Sequence, residues 1–254
     1  MQNSVTKTEN EGLVRELFKV GAHFGFSRAR RHPSVDKYVF GYKNKTAIID
    51  LEQTIEALAK AQAYAKELGA AGKQILFVAN KNEAREVVKT VALSIDMPYV
   101  AERWIGGTLT NTKEIKARLK RLADIEADEA SGELAKYTKK ERGLIGKEKK
   151  DLERYFGGIV SMAKMPAALF IIDTQAESIA VAEAVKLNIP VISLSNSDCD
   201  IRGVAYPIVG NDASRASIDF FTKAIAHAYA EGQKTAAAEA PVSAAPAGDS
   251  PEAL

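Results

Sequence analysis

The stretch MPYVAERWIGGTLTNTK, residues 97–113, decides how the rest of the chain is arranged. Tyr99 and Val100 are typical of a buried strand, whereas Asn111, followed three residues later by Glu114, predicts the capped start of a helix. The residues between them form a loop at the carboxyl end of a strand, where α/β proteins carry their functional groups. The stretch therefore joins a predicted sheet to a predicted helical segment.

The loop is rich in residues that can approach a nucleic acid. Its candidate binding residues are Arg103, Trp104, Gly106, Gly107, Thr108 and Asn111. The arginine, hydroxyl and amide groups can contact phosphates while a base or sugar packs on the indole, and glycines permit close backbone approach. The same composition suits a strand-to-helix turn in which Trp104 fills the crease between sheet and helices. These residues alone do not distinguish the two interpretations.

On both sides of this stretch, apolar segments alternate with amphipathic helical patterns. The segments AIID, QILFVA, AALFIID and residues 189–194 are near-continuous apolar runs. Such runs predict a parallel sheet covered by helices on both faces, the α/β class. In the helix after AALFIID, Ile179, Ala182 and Val185 are predicted to pack inward, with Thr174 and Glu177 as caps.

Two narrow apolar stripes follow residue 111 and define an insertion. They comprise Ile115, Leu119, Leu122 and Ile125, then Ile145, Leu152, Phe156 and Ile159. Residues 111–156 are therefore predicted to form an antiparallel helical, coiled-coil hairpin. It interrupts an α/β body of residues 1–110 and 157–232. Residues 233–254, rich in Ala, Pro, Glu and Ser, are predicted to be a disordered tail.

A one-sided basic segment lies near the start of the chain, between residues 21 and 45. It contains Arg28, Arg30, Arg31, Lys37, Lys43 and Lys45 against one acid, Asp36, with aromatic residues interleaved. Arginines offer forked donors to phosphate and aromatic rings offer stacking surfaces, so the segment favours RNA binding. The alternative is a β-hairpin with Asn44 in its turn and its charges facing water. The formal net charge of +2 means that any binding depends on such local clusters.

The sequence carries no known signature of catalysis or metal binding. GAAGK at residues 69–73 is too short for a phosphate loop, and neither a dinucleotide fingerprint nor a nucleophile elbow occurs. Asp50, Asp173 and Asp198 near strand ends are expected to cap turns or helices. The single Cys199 excludes an internal disulfide and is predicted to be a semi-buried filler. We expect no catalytic residue, metal, cofactor or small-molecule substrate.

No apolar run is long enough to span a membrane, and the first residues lack the pattern of a secretory signal. A cytoplasmic protein is therefore expected.

Several segments together resemble one known family. They are GAHFGFSRARRHPSVDKYVFGYKNKTAIIDLEQT, YVAERWIGGTLTN, LERYFGGIVSMAKMPAALFIID, LNIPVISLSNSDCD and PIVGNDASRASI. In this order, from about Gly12 to Tyr229, they are similar to ribosomal protein S-two of the bacterial small subunit. The chain departs from that family at Phe26 and Ala47, where histidine is usual, and at residues 195–201. Any polar or metal-linked role of those positions is therefore doubtful.

The resemblance implies a flavodoxin-like α/β/α body with a coiled-coil insertion of the bacterial or organellar branch. It also implies a structural role in the small ribosomal subunit, with small-subunit ribosomal RNA as a partner. Neighbouring ribosomal proteins are implied too, including the large first protein of the small subunit, which docks near the N-terminal region. The alternatives are a nucleotide-binding α/β enzyme using the carboxyl edge of the sheet and a protein-binding adaptor using the helical hairpin.

Overall fold

A computed structural model describes residues 2–162 and 164–239. The helices are α1 (Gln2–Lys19), α2 (Leu51–Ala70), α3 (Asn82–Ser94), α4 (Thr112–Ser131), α5 (Lys139–Phe156), α6 (Ser178–Lys186) and α7 (Arg215–Glu239). The strands are β1 (Phe24–Ser27), β2 (Val39–Lys43), β3 (Thr46–Ile49), β4 (Ile75–Val78), β5 (Tyr99–Val100), β6 (Ala168–Ile172), β7 (Val191–Ser195) and β8 (Tyr206–Val209). In this part of the chain, no helix has the length and apolarity needed to cross a bilayer.

Strands β4 to β8 form one parallel sheet in the order β5-β4-β6-β7-β8. Numbered along the chain, this is the order 2-1-3-4-5, one of the two common orders of doubly wound sheets. Every residue of β4, β6 and β7 is buried, as expected for strands covered on both faces. The prediction of a parallel α/β sheet is confirmed.

Side chains along each strand alternate between the two faces of the sheet, so the core consists of two layers. Phe77 packs with α1, α2, α3 and α7 on one face of the sheet. Its neighbours Leu76 and Val78 pack with α4, α5 and α6 on the other. Helices α2 and α7 touch at their backbones, since a Cβ built on Gly69 would overlap the carbonyl group of Tyr229.

A second, smaller sheet precedes the parallel one. Strands β1, β3 and β2 are antiparallel in that order, and β2 and β3 form a hairpin. Its two turn residues, Asn44 and Lys45, have φ values of 49° and 67°. Positive φ at both positions is the geometry of a type I′ turn, whose twist matches that of the flanking strands. The hairpin that belongs to the alternative interpretation of the basic segment is therefore present.

Helices α4 and α5 follow each other along the chain and contact one another. Arg121 pairs with Glu148 across them, with Nη2 and Oε2 2.9 Å apart. Helix α5 starts with a capping box in which Thr138 and Glu141 exchange hydrogen bonds. The buried residues of both apolar stripes share one cluster with Leu76 and Val78 of the sheet. They are Ile115, Leu122, Ile125, Leu152 and Phe156.

The predicted inward face of α6 is wrong. Ile179 and Val185 are 57% and 48% exposed, whereas Ala180, Glu183 and Ala184 are buried. The helix is rotated because Glu183 accepts hydrogen bonds from a neighbouring loop, as described below.

The predicted capping by three polar residues is also wrong. Asn111 and Glu177 stand at N-cap positions but make no capping hydrogen bond. The hydroxyl of Thr174 donates instead to the carbonyl oxygen of Asp200, at 3.2 Å. Asp173 caps the turn before α6, because its Oδ1 accepts from the amides of Gln175 and Ala176.

Two further predictions need correction. Cys199 is completely buried rather than semi-buried. Residues 233–239, assigned to the tail, continue helix α7. The remaining tail residues, 240–254, lie outside the described residues, and their predicted disorder stays a prediction.

Candidate nucleic-acid interface

The basic segment lies on β1, the hairpin β2–β3 and the turns between them. Arg28 and Lys45 meet where the amide of Arg28 donates to the carbonyl of Lys45, at 3.1 Å. The guanidinium of Arg28 lies 5.4 Å from the centre of the Tyr42 ring, and Nη1 of Arg31 lies 3.3 Å from the Tyr42 hydroxyl. Two arginines therefore converge on one tyrosine.

Most of these charges are exposed and unneutralised. The side chains of Arg28, Arg30, Lys37, Lys43 and Lys45 are exposed, and that of Arg31 is partly buried. Arg30 pairs with Asp198 and Arg31 with Asp36. Within residues 2–162 and 164–239, the other four basic groups form no ion pair.

The basic segment is fastened to the loop that follows β7. The amide of His32 donates to the carbonyl oxygen of Ser197 at 2.9 Å, and the amide of Phe26 donates to the hydroxyl oxygen of Ser197 at 2.8 Å. The hydroxyl of Ser34 donates to the carbonyl oxygen of Cys199 at 3.4 Å. These bonds hold the segment over the carboxyl edge of the parallel sheet.

A buried ionic cluster fills that edge beneath the segment. Lys81 follows β4, and its Nζ lies 2.7 Å from Asp173 and 2.6 Å from Asp212, which follow β6 and β8. Burial lowers the pKa of Lys81, but the two carboxylates outweigh burial and raise it above its usual value. Asp212 also accepts a hydrogen bond from Asn196 at 2.9 Å. The cluster is therefore a lysine clamped between two carboxylates.

This cluster does not have the character of a metal site. Potential ligand atoms of Asp173, Cys199 and Asp212 lie within 4.8 Å of one another. However, the ammonium group of Lys81 already occupies the space between the two carboxylates and balances one of their charges. Burial, with the nearby Asp173 charge, raises the pKa of the Cys199 thiol to about 12, so without a metal it is a neutral thiol and not a nucleophile at neutral pH. The other acids considered also bind protein groups, since Asp50 caps α2 and Asp198 pairs with Arg30.

The location of this cluster is relevant to the alternative interpretation, a nucleotide-binding enzyme that uses the carboxyl edge of the sheet. In doubly wound sheets, ligands bind at the carboxyl edge where the strand order reverses. Here that point lies between β4 and β6, and Lys81 and Asp173 follow these two strands. The edge is thus occupied by the chain's own side chains and covered by the basic segment, an arrangement that favours a binding protein over an enzyme.

The loop of residues 103–111 is built around one buried carboxylate. Oε1 of Glu183 accepts from the indole Nε1 of Trp104 at 3.2 Å and the amide of Gly107 at 2.7 Å. Oε2 accepts from the amides of Leu109 and Thr110, at 3.0 and 3.1 Å, and from the Thr110 hydroxyl at 3.2 Å. Burial raises the pKa of Glu183, but these donors outweigh burial and lower it below the usual value.

The predicted site residues of the loop fall into a buried group and a more exposed group. Trp104 and Thr108 are only 5% and 3% exposed. Trp104 lies in the crease between sheet and helices, as the second interpretation of the loop predicts. Because buried side chains have little surface to offer RNA, these two shape the loop rather than line an interface. Arg103, Gly106 and Asn111 are exposed, and Gly107 is partly buried.

The basic segment and the loop have separate attachments. The segment is bonded to residues after β7, whereas the loop is bonded to α6. Among the described residues, no hydrogen bond or ion pair joins the two. They are therefore two candidate contact regions and not one cluster.

Glu183 organises the loop of residues 103–111, and sequence reasoning missed it. Its only signal was a lone acid in the otherwise apolar pattern IAVAEAV, residues 179–185. Such an acid is usually exposed. The backbone amides that bind it come from a loop more than 70 residues earlier and carry no sequence signature.

The fold and the two contact regions define a class, an α/β binding protein with an exposed basic and aromatic surface. Comparison with known proteins identifies the family. The family model described as Ribosomal protein S2 matches residues 17–232. The chain therefore belongs to the ribosomal protein S2 family, and the predicted resemblance is confirmed.

Relatives named small ribosomal subunit protein uS2 come from several bacteria. The protein of Mycobacteroides abscessus is 43% identical over 219 residues, which cover 86% of this chain and 79% of the relative. That of Corynebacterium diphtheriae is 43% identical over 222 residues, covering 87% and 84%. That of Mycobacterium bovis is 44% identical over 219 residues, covering 86% and 76%. The matched region spans most of each protein.

Proposed function

We propose that this chain is a structural, non-catalytic constituent of the small ribosomal subunit in the bacterial cytoplasm. It binds small-subunit ribosomal RNA and neighbouring ribosomal proteins during translation. The observation that carries the RNA proposal is the basic segment, in which Arg28, Lys37, Lys43 and Lys45 are exposed and form no ion pair within the described residues. Unpaired cations on a fastened segment are suited to phosphates.

The exposed part of the second region supplies further RNA contacts in this proposal. Arg103 offers a guanidinium group and Asn111 an amide, both at the surface. Gly106 is exposed, and a Cβ added to it would meet no atom of the described residues within 4 Å. Its small size therefore has no steric reason inside the protein, which supports close approach of another molecule at this point.

The proposal includes finer features that the family resemblance implies. These are a flavodoxin-like body, a coiled-coil arm formed by α4 and α5, and docking of the large first protein of the small subunit near the N-terminal region. The ion pairs between α4 and α5 support the arm, because charged pairs commonly flank the seam of a coiled coil. The exposed ring of Phe18 on α1 supports a protein contact near the N-terminus.

The test is occupancy of small subunits in cells that carry tagged chains. Replacing Arg28, Lys43 and Lys45 with alanine should shift the protein from the small-subunit fraction to the top of a sucrose gradient. Replacing Lys139, Lys140 and Lys150 of α5 removes the same charge from another exposed surface and serves as the control. If both variants remain bound equally, the basic segment is not the RNA contact. If the wild-type chain does not travel with small subunits, the ribosomal proposal fails.

A further inference from the structure

Phe40 has an unusual position on the edge strand β2. Its side chain is 82% exposed, the largest value for a large apolar residue in the described part of the chain. The register of β2 against β3 shifts between Val39 and Gly41, so Phe40 is the extra residue of a bulge. Bulges redirect side chains, and this one leaves an aromatic ring in water.

Tyr42 follows Phe40 by two residues on the same strand, and the two residues leave the backbone roughly 7 Å apart. Because the bulge interrupts the regular alternation of side chains, the direction of Phe40 is not set by that of Tyr42. Tyr42 is 38% exposed, the guanidinium of Arg28 lies over its ring, and Arg31 donates to its hydroxyl. Strand β2 therefore carries two exposed rings, and two arginines contact one of them.

Other exposed aromatic rings near the N-terminus have internal partners, which sets Phe40 apart. Phe18 stacks on His23 with ring centroids 4.2 Å apart, and Phe24 packs against the same imidazole at 4.0 Å. Among the described residues, Phe40 has no ring partner. Packing inside the chain therefore does not explain it.

We propose that Phe40 and Tyr42 form a stacking site for unpaired nucleotides of RNA. This inference rests on the proposed function and specifies its ligand, a single-stranded segment such as a loop or bulge. Unpaired bases have free π faces that stack on aromatic rings, whereas the bases of a duplex are already stacked on each other. Arg28 and Arg31 contact the ring and the hydroxyl of Tyr42, where they can bind the phosphates that join such nucleotides.

The test compares two RNA probes with the full chain. One is a single-stranded decamer, and the other is a hairpin whose stem has the same number of phosphates and whose strands are joined by a flexible linker without bases. Phe40→Ala should weaken binding of the decamer by roughly 5- to 150-fold, the range measured for loss of one stacked base. Binding of the hairpin and the salt dependence for both probes should stay unchanged, because no cation is lost.

Matched variants separate stacking from general apolar contact. Phe40→Trp should keep decamer affinity, and Phe40→Leu should lose it. Phe18→Ala removes a different exposed ring and should leave decamer affinity unchanged. Since Phe40 is exposed, all Phe40 variants should have the melting temperature of the wild-type chain, so affinity is compared between equally folded proteins.

Three results would overturn the inference. They are an unchanged decamer affinity for Phe40→Ala, full affinity for Phe40→Leu, or an equal loss for decamer and hairpin. If the first result is accompanied by lower occupancy in small subunits, it indicates a protein partner at this surface. If the wild-type chain binds neither probe, the proposed function fails together with this inference, whereas failure at Phe40 alone leaves the proposed function intact.

Discussion

The carboxylate of Glu183 accepts a hydrogen bond from the indole of Trp104, with Oε1 and Nε1 3.2 Å apart. Three backbone amides and the Thr110 hydroxyl complete its surroundings. Among the described residues, Glu183 forms no ion pair. Its charge is instead balanced by oriented N–H and O–H dipoles, which stabilise a buried carboxylate effectively. The shape of the loop at residues 103–111 therefore depends on one side chain of α6.

Replacing Glu183 with glutamine should destabilise the protein by about 2–4 kcal/mol. The amide nitrogen of glutamine would face N–H donors, and hydrogen bonds to a charged acceptor contribute about 1.5–3 kcal/mol. Denaturant unfolding measures the difference, with Glu56→Gln on the exposed face of α2 as the control. The pKa of Glu183 is lowered in the fold, so its contribution is complete at neutral pH and is lost as pH falls below about 4.5. Equal stability of both variants at pH 7 would refute this role.

The two adjacent glycines of the loop should respond differently to substitution. Gly107 has φ +92°, which a β-branched residue rarely adopts, and an added Cβ would lie 3.3 Å from Cβ of Asn111. Gly107→Val should therefore lower the melting temperature. Gly106→Ala should not, because space around it is open. If RNA contacts this point, Gly106→Ala should still reduce occupancy in small subunits, and unchanged occupancy would leave the loop a purely structural connection.

Replacing Glu177 with glutamine should stabilise the protein at alkaline pH. Glu177 is 2% exposed, and its Oε1 has no hydrogen-bond partner among the residues that the structure describes. Burial, followed by repulsion from Asp173, raises the pKa of this carboxyl from 4.5 to about 7. Between these values the folded protein retains a proton that the unfolded chain releases, so stability falls as pH rises.

The predicted gain for Glu177→Gln is about 1–3 kcal/mol at pH 8, and close to zero at pH 4. Unfolding curves at the two pH values measure it, again with Glu56→Gln as the control. A variant that is less stable than wild type at pH 8 would show that the Glu177 charge has a favourable partner.

Two deletions should separate the outer part of the helical pair from its base. Removing residues 127–148 and bridging with glycines keeps the buried residues Ile115, Ile125 and Phe156, so the body should fold with a melting temperature near that of wild type. Removing residues 111–156 uncovers the sheet layer that contains Leu76. Each large buried residue removed contributes about 2–5 kcal/mol, and the sum exceeds a typical total stability of 5–15 kcal/mol. The longer deletion should therefore aggregate. Aggregation of the shorter one would show that the whole pair belongs to the core.

The salt dependence of RNA binding should report the exposed cations of the basic segment. Replacing Arg28, Lys43 and Lys45 with alanine should flatten the slope of log affinity against log salt by roughly 0.7 for each phosphate that the variant no longer neutralises. Arg30 is kept, because its removal would leave the buried Asp198 carboxylate without its ion-pair partner. The Lys139, Lys140 and Lys150 variant should keep the wild-type slope. An unchanged slope for the first variant would exclude these residues as phosphate-binding groups.

Local sequence patterns predicted the sheet and the hairpin because those elements are encoded by neighbouring residues. Strands β4 and β6 are apolar throughout, and Asn44 favours the positive φ that the hairpin turn requires. The rotation of α6 could not be predicted in this way. Hydrophobic periodicity assigns Glu183 to water, and only the amides of Gly107 and Leu109, brought close by the fold, make the buried position favourable.

The sequence could not predict where the basic segment attaches to the body, for the same reason. The composition of residues 21–45 indicated RNA binding, but the bonds that place it join Phe26 and His32 to Ser197. Interactions between residues so far apart in sequence leave no local pattern. Burial of Trp104 was likewise undecidable, since an indole beside arginine and glycine suits both a surface and a crease.

The two hydrogen bonds that the amides of Phe26 and His32 donate to Ser197 affect the thermodynamics of association. A segment immobilised during folding has already lost most of its backbone conformational entropy, so binding a polyanion does not require that loss again. Calorimetry should then give a small heat-capacity change, without the large negative value that accompanies coupled folding and binding. The chain meets its ligand as a preshaped rigid surface, with only the long side chains of its cations left to order.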